Sequence, residues 1–535
     1  MKQFIKKNIL LIGIITAVYF LYSSVFLKPH KINSFSLVDD GQVLVQSWSY
    51  LKDCVQKKDC SVFVDQTFEF GVSRFRPAYW LINNTIYSFF GDNAQAHHIF
   101  RVFATGYATV FLLALILRDL GINSLFTLLG TILFFTNYYF TENVIRLGTN
   151  EPYQVIFLAI FSYLYLNRKK SQKKSSKSFI FLTLLLVWTI LIKESNIAII
   201  PTLLLFEWYF SGNKIPKKTM MMFSIPAIIL LLGIVYSKTL LTQISLDIPI
   251  YASNYMISPL SMLRNLMFHT KLLLNSLSPF LKLSIVIIFA IFMLRKKIKN
   301  ILKAPKLSYW LIFTISFIGV LLPWRYVLDR YQLIVVFGLI ILIMALFQEF
   351  YKYLKTRLVK KNSLLQKHIF NAVSIIVVAN LFFHGFPLNL AKTINYSNWF
   401  YGFNKYEADQ MQVIAKYANQ ELYVNGKDNI NNWEFLYEIP IHLKYLFGQD
   451  TDVQRITDQI PQNGYLFSKT PFDSQVEISE LADKGYEPID QKTYSVDRID
   501  PIKFKENFVM KPIRTVIDPP LHPDKHVYYW EIRKL

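Results

Sequence analysis

Residues 179–212, FIFLTLLLVWTILIKESNIAIIPTLLLFEWYFSG, decide how this chain is organised. The stretch is apolar except around Lys193 and Glu194 at its centre. A single helix would be about 51 Å long and would bury that charged pair in a hydrocarbon core roughly 30 Å thick. Two short helices, 179–192 and 196–212, that meet at a turn avoid this cost. Because lipid cannot satisfy the backbone of such a turn, we predict that the turn lines a protein-walled or watery cavity.

The composition of the whole chain is that of a membrane protein. Of its 535 residues, 53% are hydrophobic, 16% are aromatic and only 18% are charged. Soluble domains usually carry about 25% charged residues. We therefore predict a polytopic α-helical membrane protein. The same composition excludes a disordered chain, a coiled coil, a collagen and a small disulfide-stabilised domain.

Apolar runs predict about eleven transmembrane helices, which form a membrane domain over residues 1–388. The first run, 8–27, follows a basic N-terminus and has no small-residue cleavage site after it. We therefore predict an uncleaved helix rather than a signal peptide. The other spans are predicted near 95–117, 122–140, 150–167, 179–192, 196–212, 219–240, 272–294, 307–323, 332–350 and 369–388.

The net charge of +22 is explained by topology. Six short segments hold 25 of the 58 basic residues and one of the 36 acidic residues, Asp119. Such loops mark the cytoplasmic side and contact anionic membrane lipids. With eleven spans, all six segments and the N-terminus are cytoplasmic, and we predict no nucleic-acid partner. The segments are 2–7, 118–121, 168–178, 213–218, 295–306 and 351–368.

Three regions are predicted to be extracytoplasmic: the loop 28–94, the connection 241–271 and the tail 389–535. In the first loop, 42–51 and 77–90 place apolar residues on one helical side, which predicts helices lying in the membrane interface. The short apolar runs of the tail predict a small α/β domain. Its predicted strands are 421–425, 464–467 and 527–532, and its predicted helices are 433–446 and 475–484.

Both cysteines of the chain, Cys54 and Cys60, lie in the first extracytoplasmic loop. A local disulfide is favoured by an oxidising compartment, and two free thiols are the alternative. The spacing by itself does not decide between them.

Ionisable residues gather near the predicted outer ends of the spans. Charge at membrane depth is costly, so these groups are expected to pair or to line a pathway. They predict a polar cavity that opens outward, and ordinary interfacial loop charges are the alternative. The candidate site residues are Asp39, Asp40, Arg74, Arg76, Arg146, Glu151, Lys193, Glu194, Arg325, Tyr326 and Arg330.

The residue types in this set suit acid–base and phosphate chemistry. Adjacent carboxylates such as Asp39 and Asp40 can divide their roles, one accepting a proton while the other holds a partner. Asp40 also stands where it could cap a helix that begins at residue 41. Two arginines close together, as at Arg74 and Arg76, can grip a phosphate, and anchoring to lipid headgroups is the alternative.

Metal and cofactor motifs are weak. The sequence has no HExxH, and the neighbouring His97 and His98 would point to different helix faces, so structural histidines are favoured over a zinc site. A divalent cation held by Asp39, Asp40 or Glu151 stays open, and no other cofactor is predicted. Glycine-rich phosphate loops are absent from the sequence, so nothing indicates a nucleotide donor.

The order of these motifs resembles the C-type (GT-C) membrane glycosyltransferases that use polyprenyl-phosphate-linked sugars, which include the protein O-mannosyltransferases and the lipid A aminoarabinose transferases. The resemblance covers roughly residues 1–350. The acidic pair Asp39-Asp40 differs from the Asp-Glu pair that is common in mannosyltransferases. The tail matches no named family. The matching motifs are Asp39-Asp40, Arg76-Pro77 in RFRPAYW, Glu151 in RLGTNEPYQ, Lys193-Glu194 in LIKESNIAIIP, and Arg325-Tyr326 or Arg330-Tyr331.

The resemblance implies an inverting glycosyltransferase of the plasma or inner membrane. It would move a sugar from a polyprenyl-phosphate donor to an extracytoplasmic glycan, lipid or protein acceptor. Asp39 would accept the proton of the acceptor hydroxyl. Arg76, Lys193, Arg325 or Arg330 would stabilise the departing lipid phosphate.

Two alternatives belong to other functional classes. A lipid or sugar transporter or flippase would place charges near the middle of the membrane and would show inverted repeats. The sequence shows neither feature. A non-catalytic envelope scaffold would account for the tail but leaves the acidic pair and the paired arginines without a role.

Overall fold

The computed structural model describes residues 2–37, 40–68, 75–168, 176–210, 215, 217–241, 258–276, 304–324, 328–358, 364–425, 433–451, 453–456, 463–468 and 485–535. Four candidate site residues lie outside these ranges: Asp39, Arg74, Arg325 and Tyr326. The predicted helix at 475–484 and most of the predicted span at 272–294 also lie outside them.

The described chain is mostly helical. The α-helices are α1 (Lys2–Tyr22), α2 (Ser47–Lys57), α3 (Ser61–Phe68), α4 (Pro77–Phe90), α5 (Ala94–Phe100), α6 (Tyr107–Asp119), α7 (Ser124–Phe135), α8 (Tyr138–Ile145), α9 (Glu151–Arg168), α10 (Ser176–Ile190), α11 (Ile199–Phe210), α12 (Lys217–Leu241), α13 (Pro259–Ser276), α14 (Pro305–Leu321), α15 (Leu333–Leu358), α16 (Leu364–Tyr417), α17 (Trp433–Leu446), α18 (Pro501–Met510) and α19 (Pro512–Ile517).

Three helical stretches within the described ranges are long and apolar enough to cross a membrane: Asn8–Lys31, Ala94–Asp119 and Asp329–Lys352. The second is continuous because a π-helical segment, Arg101–Gly106, joins α5 to α6. Shorter apolar helices accompany them at Ser124–Phe135, Ser176–Ile190, Thr219–Gly233 and Pro305–Leu321. The predicted helical membrane fold is therefore found, and the number of eleven spans stays a prediction.

The predicted break at the centre of 179–212 is confirmed. Helix α10 ends at Ile190, and a 3₁₀ turn, Glu194–Ala198, leads into α11. The amide of Asn196 closes this turn by donating to the carbonyl oxygen of Thr189 at 2.6 Å.

The predicted span at 122–140 is divided near its end. Helix α7 stops at Phe135, and the side chain of Asn137 accepts a hydrogen bond from the backbone of Tyr139 at 2.9 Å. Asn137 therefore caps a new helix, α8, which has only 8 residues. At about 12 Å, α8 is too short to span a bilayer, and it lies at one end of the bundle.

The opposite end of the bundle carries the basic segments. Arg118 donates to Asn8 at 2.8 Å, and Lys306 pairs with Asp119 and donates to Asn167 at 3.0 Å. Nearby, the Gln348 amide donates to the carbonyl oxygen of Gly121 at 2.8 Å. These residues belong to or adjoin five of the six predicted cytoplasmic segments, so the chain brings those segments to a common end.

The loop 28–94, which is predicted to be extracytoplasmic, forms the two helices that its pattern predicts. Helix α4 has the predicted bounds, and the other begins as a π-helical segment, Gly41–Gln46, and continues as α2. Val43 and Leu44 are buried against α4 and the α10–α11 turn. Cys54 and Cys60 form a disulfide. Of the two possibilities that the sequence left open, a disulfide or two free thiols, the structure has the disulfide.

The tail contains a five-stranded sheet of order β2-β1-β3-β5-β4. Strands β1 (Leu422–Asn425), β3 (Tyr465–Ser468) and β5 (His526–Lys534) confirm the three predicted strands. β1 pairs in parallel with both neighbours, whereas β5 is antiparallel to β3 and β4. The strands that the sequence analysis missed are β2 (Gln454–Ile456) and β4 (Pro488–Val496).

Helix α16 joins the tail to the bundle. It runs through residue 389, where the predicted tail begins, and α18 packs along it. Phe504 and Phe508 of α18 are buried in the same apolar core as the membrane helices. A second core, which includes Tyr406, Phe467 and Trp530, forms between α16, α17 and the sheet. The tail is thus packed directly on one end of the bundle.

Candidate active site

The loop between α8 and α9, residues 146–150, is the frame of the candidate site. Arg101, in the first third of the second long span Ala94–Asp119, holds this loop in place. The Arg101 side chain is 2% exposed, donates to the Thr149 hydroxyl at 2.7 Å and to the Asn143 carbonyl at 3.3 Å, and lies 4.5 Å from the centre of the Tyr153 ring. A buried arginine with these partners stabilises one conformation of the loop.

Asp40 connects the loop 28–94 to the 146–150 loop. Its carboxylate is buried and accepts hydrogen bonds from the backbone N–H of Ser36 at 2.9 Å and of Gly148 at 3.1 Å. The expectation that Asp40 caps the next helix is wrong, since its side chain makes no capping bond. Asp40 already has helical backbone angles, φ −70° and ψ −39°, which direct the carboxylate to other N–H groups.

Lys193 forms an ion pair with Glu151. The two charged atoms are 2.5 Å apart, and the side chains of Lys193 and Glu151 are 14% and 3% exposed. The ammonium also lies 4.4 Å from the centre of the Tyr331 ring, a cation–π distance. The residue next to Lys193, Glu194, faces a different cation, with its carboxylate 4.0 Å from the guanidinium of Arg76.

Arg76 completes a chain of contacts back to the loop. Its guanidinium lies 5.1 Å from the centre of the Tyr79 ring, and the Tyr79 hydroxyl donates to the carbonyl oxygen of Gly148 at 2.5 Å. The start of α4, the α10–α11 turn and the 146–150 loop are therefore in one connected set of contacts.

Arg330 and Arg146 add two cations near Glu142 at this end of the bundle. The carbonyl oxygen of Arg330 accepts from the Asn143 amide at 2.9 Å, which docks the 3₁₀ turn Asp329–Gln332 on α8. Glu142 of α8 lies within the field of both arginines. Burial nevertheless raises the pKa of Glu142 to about 7, since it outweighs the two cations, and the carboxylates of Asp329 and Glu151 add to the rise.

The seven described candidates meet at one end of the bundle. They are Asp40, Arg76, Arg146, Glu151, Lys193, Glu194 and Arg330. Sequence reasoning placed Arg101 only among the ionisable residues near the predicted outer helix ends, and it assigned no positioning role to Arg101 or Asn143. Arg101 had a usable signal, because a charge within a long apolar run is rarely tolerated without a partner. Asn143 had none.

Acidic residues of the tail hold the segment that contains Asp40, and no sequence pattern predicted this contact. Glu407 of α16 accepts from the Ser36 hydroxyl at 2.9 Å and from the Leu37 N–H at 3.1 Å. Glu438 of α17 accepts from the Gln42 N–H at 3.1 Å. A Cβ at Gly41 would lie 2.2 Å from the Glu438 carboxylate, so only glycine fits there.

His442 of α17 lies beside the same segment and is fully buried. Burial lowers the pKa of His442 to about 4, although the Glu407 carboxylate opposes the shift. The imidazole is therefore neutral at physiological pH. It supports the packing of α17 on the first loop without adding a charge to it.

The described residues include no group of three or more His, Cys, Asp or Glu side chains that could hold a metal ion. Of the carboxylates considered for a divalent cation, Asp40 accepts two backbone N–H bonds and Glu151 pairs with Lys193. Asp39 lies outside the described residues.

Comparison with known proteins finds solved structures that align with most of this chain at low sequence identity. No protein-family model matches the sequence, and no curated protein is similar to it in sequence. ArnT from Cupriavidus metallidurans bound to undecaprenyl phosphate aligns with a TM-score of 0.49 and 12% identity over 91% of this chain and 96% of that chain. The apo state of ArnT from the same organism gives 0.48 and 14% over 90% and 95%. ArnT is a lipid A aminoarabinose transferase, one of the enzymes that the motif order resembles.

Proposed function

We propose that this protein is an inverting membrane glycosyltransferase that moves a sugar from a polyprenyl-phosphate carrier to an extracytoplasmic acceptor. One observation carries most weight: the carboxylate of Asp40 is hydrogen-bonded to Gly148. This contact ties Asp40 of the first loop to the 146–150 loop, which begins at Arg146 and leads directly into Glu151. Motifs that the family resemblance groups by order along the chain thus lie together in space.

The two aspartates take different roles in this proposal. The Asp40 carboxylate is buried and occupied by two backbone N–H groups, which suits a positioning residue. Asp39 then serves as the general base. Its carboxylate takes the proton of the acceptor hydroxyl while the acceptor oxygen bonds to the anomeric carbon and the bond from that carbon to the phosphate oxygen breaks.

The leaving group is a lipid phosphate, which gains negative charge as it departs. Arg76, Arg146, Lys193 and Arg330 supply positive charge at the same end of the bundle. Cations placed before the reaction stabilise developing charge without a cost of reorganisation. In the proposed topology this end and the tail are extracytoplasmic, and the N-terminus is cytoplasmic.

The test compares carboxylate variants of the first loop in a deletion strain. Wild-type protein should restore transfer, seen as consumption of the polyprenyl-phosphate sugar and modification of cell-surface glycans by mass spectrometry. Asp39→Asn should lower transfer by about 10²–10⁴-fold while the protein still folds and inserts. Asp65→Asn is the matched control, because Asp65 is an exposed carboxylate of the same loop.

Two results would contradict the proposal. One is a deletion strain in which polyprenyl-phosphate sugars and surface glycans are unchanged. The other is full transfer by the Asp39→Asn protein, which would remove this residue from the mechanism.

A further inference from the structure

A cavity of about 500 Å³ lies beside the candidate active site. This volume is typical of sites for small ligands. The cavity opens between the ends of the membrane helices and the tail. Its walls include Tyr138 of α8, Asp329 of the 3₁₀ turn, Lys392, Tyr396 and Trp399 of α16, and His526 of β5.

Aromatic rings form one continuous wall, and we call this space the aromatic cavity. The ring centres of Tyr138 and Tyr396 are 5.4 Å apart, and those of Tyr396 and Trp399 are 5.3 Å apart. Trp399 is also stacked on Phe403, with a centre distance of 5.3 Å and an interplanar angle of 12°. The wall is therefore an apolar surface supported from behind. The C–H faces of a sugar ring pack well on such a surface.

Two residues of opposite charge, Asp329 and Lys392, line the aromatic cavity without forming an ion pair with each other. Asp329 and Lys392 both line it and influence each other electrostatically. Within the described ranges, neither side chain makes a hydrogen bond or an ion pair, so their charged atoms are more than 4.0 Å apart. An acceptor and a donor held apart in this way can bind the hydroxyl groups of a ligand between them.

Other polar groups at the walls are used to hold the cavity in shape. The amide of Asn395 donates to the carbonyl of Ile499 at 2.9 Å and accepts from its N–H at 2.6 Å. The Tyr139 hydroxyl donates to the carbonyl of Leu272 at 2.8 Å. These bonds fix the tail and α13 against the bundle. The cavity is thus formed before a ligand binds, which lowers the entropic cost of binding.

The position of the aromatic cavity relates it to the proposed reaction. Asp329 precedes Arg330 in the chain, and Tyr138 is one helical turn from Glu142. A ligand in the cavity would therefore lie next to the cations proposed to receive the leaving phosphate.

We propose that the aromatic cavity binds a carbohydrate unit of the acceptor, with the ring packed on Tyr396 and Trp399 and its hydroxyl groups held by Asp329 and Lys392. This inference rests on the proposed function and makes it more specific, because it names a sugar-bearing acceptor in place of a plain protein or lipid hydroxyl. A carbohydrate needs the combination of apolar faces and dispersed polar groups that this cavity has.

The test measures binding without requiring transfer. Full-length protein in detergent, and its Asp39→Asn variant, are titrated with glucose, galactose, N-acetylglucosamine, rhamnose and maltose, with saturation-transfer NMR as the readout. At least one of these saccharides should bind both proteins. Lys392→Gln and Trp399→Ala should each weaken that binding roughly tenfold or more, since each removes a main contact.

Matched controls lie on the same helix. Lys405→Gln and Tyr401→Ala change exposed side chains of α16 away from the aromatic cavity and should leave binding unchanged. Trp399→Phe keeps an aromatic face and should retain most of the affinity. It also guards against a Trp399→Ala protein that fails to fold, which thermal unfolding would reveal.

Failure of this inference can be told apart from failure of the proposed function. Transfer to an acceptor without sugar, together with no saccharide binding, would overturn the carbohydrate subsite alone. Binding that both Lys392→Gln and a folded Trp399→Ala leave at the wild-type level would overturn it as well. Saccharide binding that depends on these residues, in a protein with no transfer activity, would support the subsite and overturn the transferase.

Discussion

Two acid–lysine pairs at the same end of the bundle differ in one decisive respect. Lys193 and Glu151 are in contact at 2.5 Å and are largely buried. Lys392 and Asp329 line a cavity of about 500 Å³ and do not reach each other. In the first pair the protein satisfies both charges itself. In the second pair no described residue forms an ion pair with either charge, so we expect the first pair to govern stability and the second to govern binding.

The largest effect is expected from breaking the contacting pair. Lys193→Met leaves the Glu151 carboxylate buried without its cation, which should cost about 3–5 kcal/mol of unfolding free energy. A double variant, Lys193→Met with Glu151→Met, should recover much of that loss, and thermal unfolding in detergent measures both. Lys306→Met is a control at the opposite end, where the Asp119 partner is 23% exposed and the loss should be smaller.

The affinity of the Lys193→Met protein for the donor tests whether Lys193 has a role beyond stability. If Lys193 also contacts the lipid phosphate, the folded fraction of Lys193→Met should bind polyprenyl phosphate more weakly than wild type. A stable Lys193→Met protein with unchanged donor affinity and turnover would contradict both roles of this lysine.

A pH effect is expected from Glu142, which lies beside the contacting pair. Its pKa is raised from 4.5 to about 7, so the folded state binds a proton that the unfolded state releases. The associated stability is fully present below pH 4.5 and is lost progressively as pH rises from 4.5 through 7, by about 3 kcal/mol in total. Unfolding curves of wild type and Glu142→Gln should therefore diverge across this window, with the variant less sensitive to pH. Parallel curves would show that Glu142 is ionised throughout.

A smaller loss of stability is expected from a substitution at Asp40. Asn at this position keeps one acceptor oxygen, so Asp40→Asn should leave one of two buried N–H groups unsatisfied and cost roughly 1–2 kcal/mol. Transfer should fall less than in Asp39→Asn, because the side chain positions the loop and takes no proton. The measurement pairs thermal unfolding with a transfer assay. An Asp40→Asn protein with wild-type stability and no activity would make Asp40 the base.

The smallest effect on stability is expected at the separated pair. Lys392→Gln should change the unfolding free energy by no more than about 0.5 kcal/mol, because the ammonium makes no hydrogen bond or ion pair with any described residue. Burial lowers the pKa of Lys392, so the folded protein gains nothing from this charge by itself. A large loss of stability would place Lys392 in a structural role and would weaken the difference between the two pairs.

Local patterns predicted the elements whose signal is contained in a few neighbouring residues. The turn at Lys193 follows from an apolar stretch that is too long for one span and has a charged pair at its centre, and α4 follows from its apolar side and the proline at its start. Strand β4 was missed because most of its side chains are partly or fully exposed, so it lacks an apolar face. The capping role given to Asp40 was wrong because the nearest N–H groups in space, those of Ser36 and Gly148, are not those of the following helix.

The sequence by itself determined the membrane class, the common end of the basic segments and the collection of charged residues near the other helix ends. These follow from hydrophobicity and from the cost of burying charge, which depend on each residue and its close neighbours. Only the tertiary structure decided which charge meets which: Glu151 reaches Lys193 across 42 positions, and Lys392 stays apart from Asp329. Ion pairing acts over a few ångströms, so it is fixed by how helices cross and pack rather than by composition.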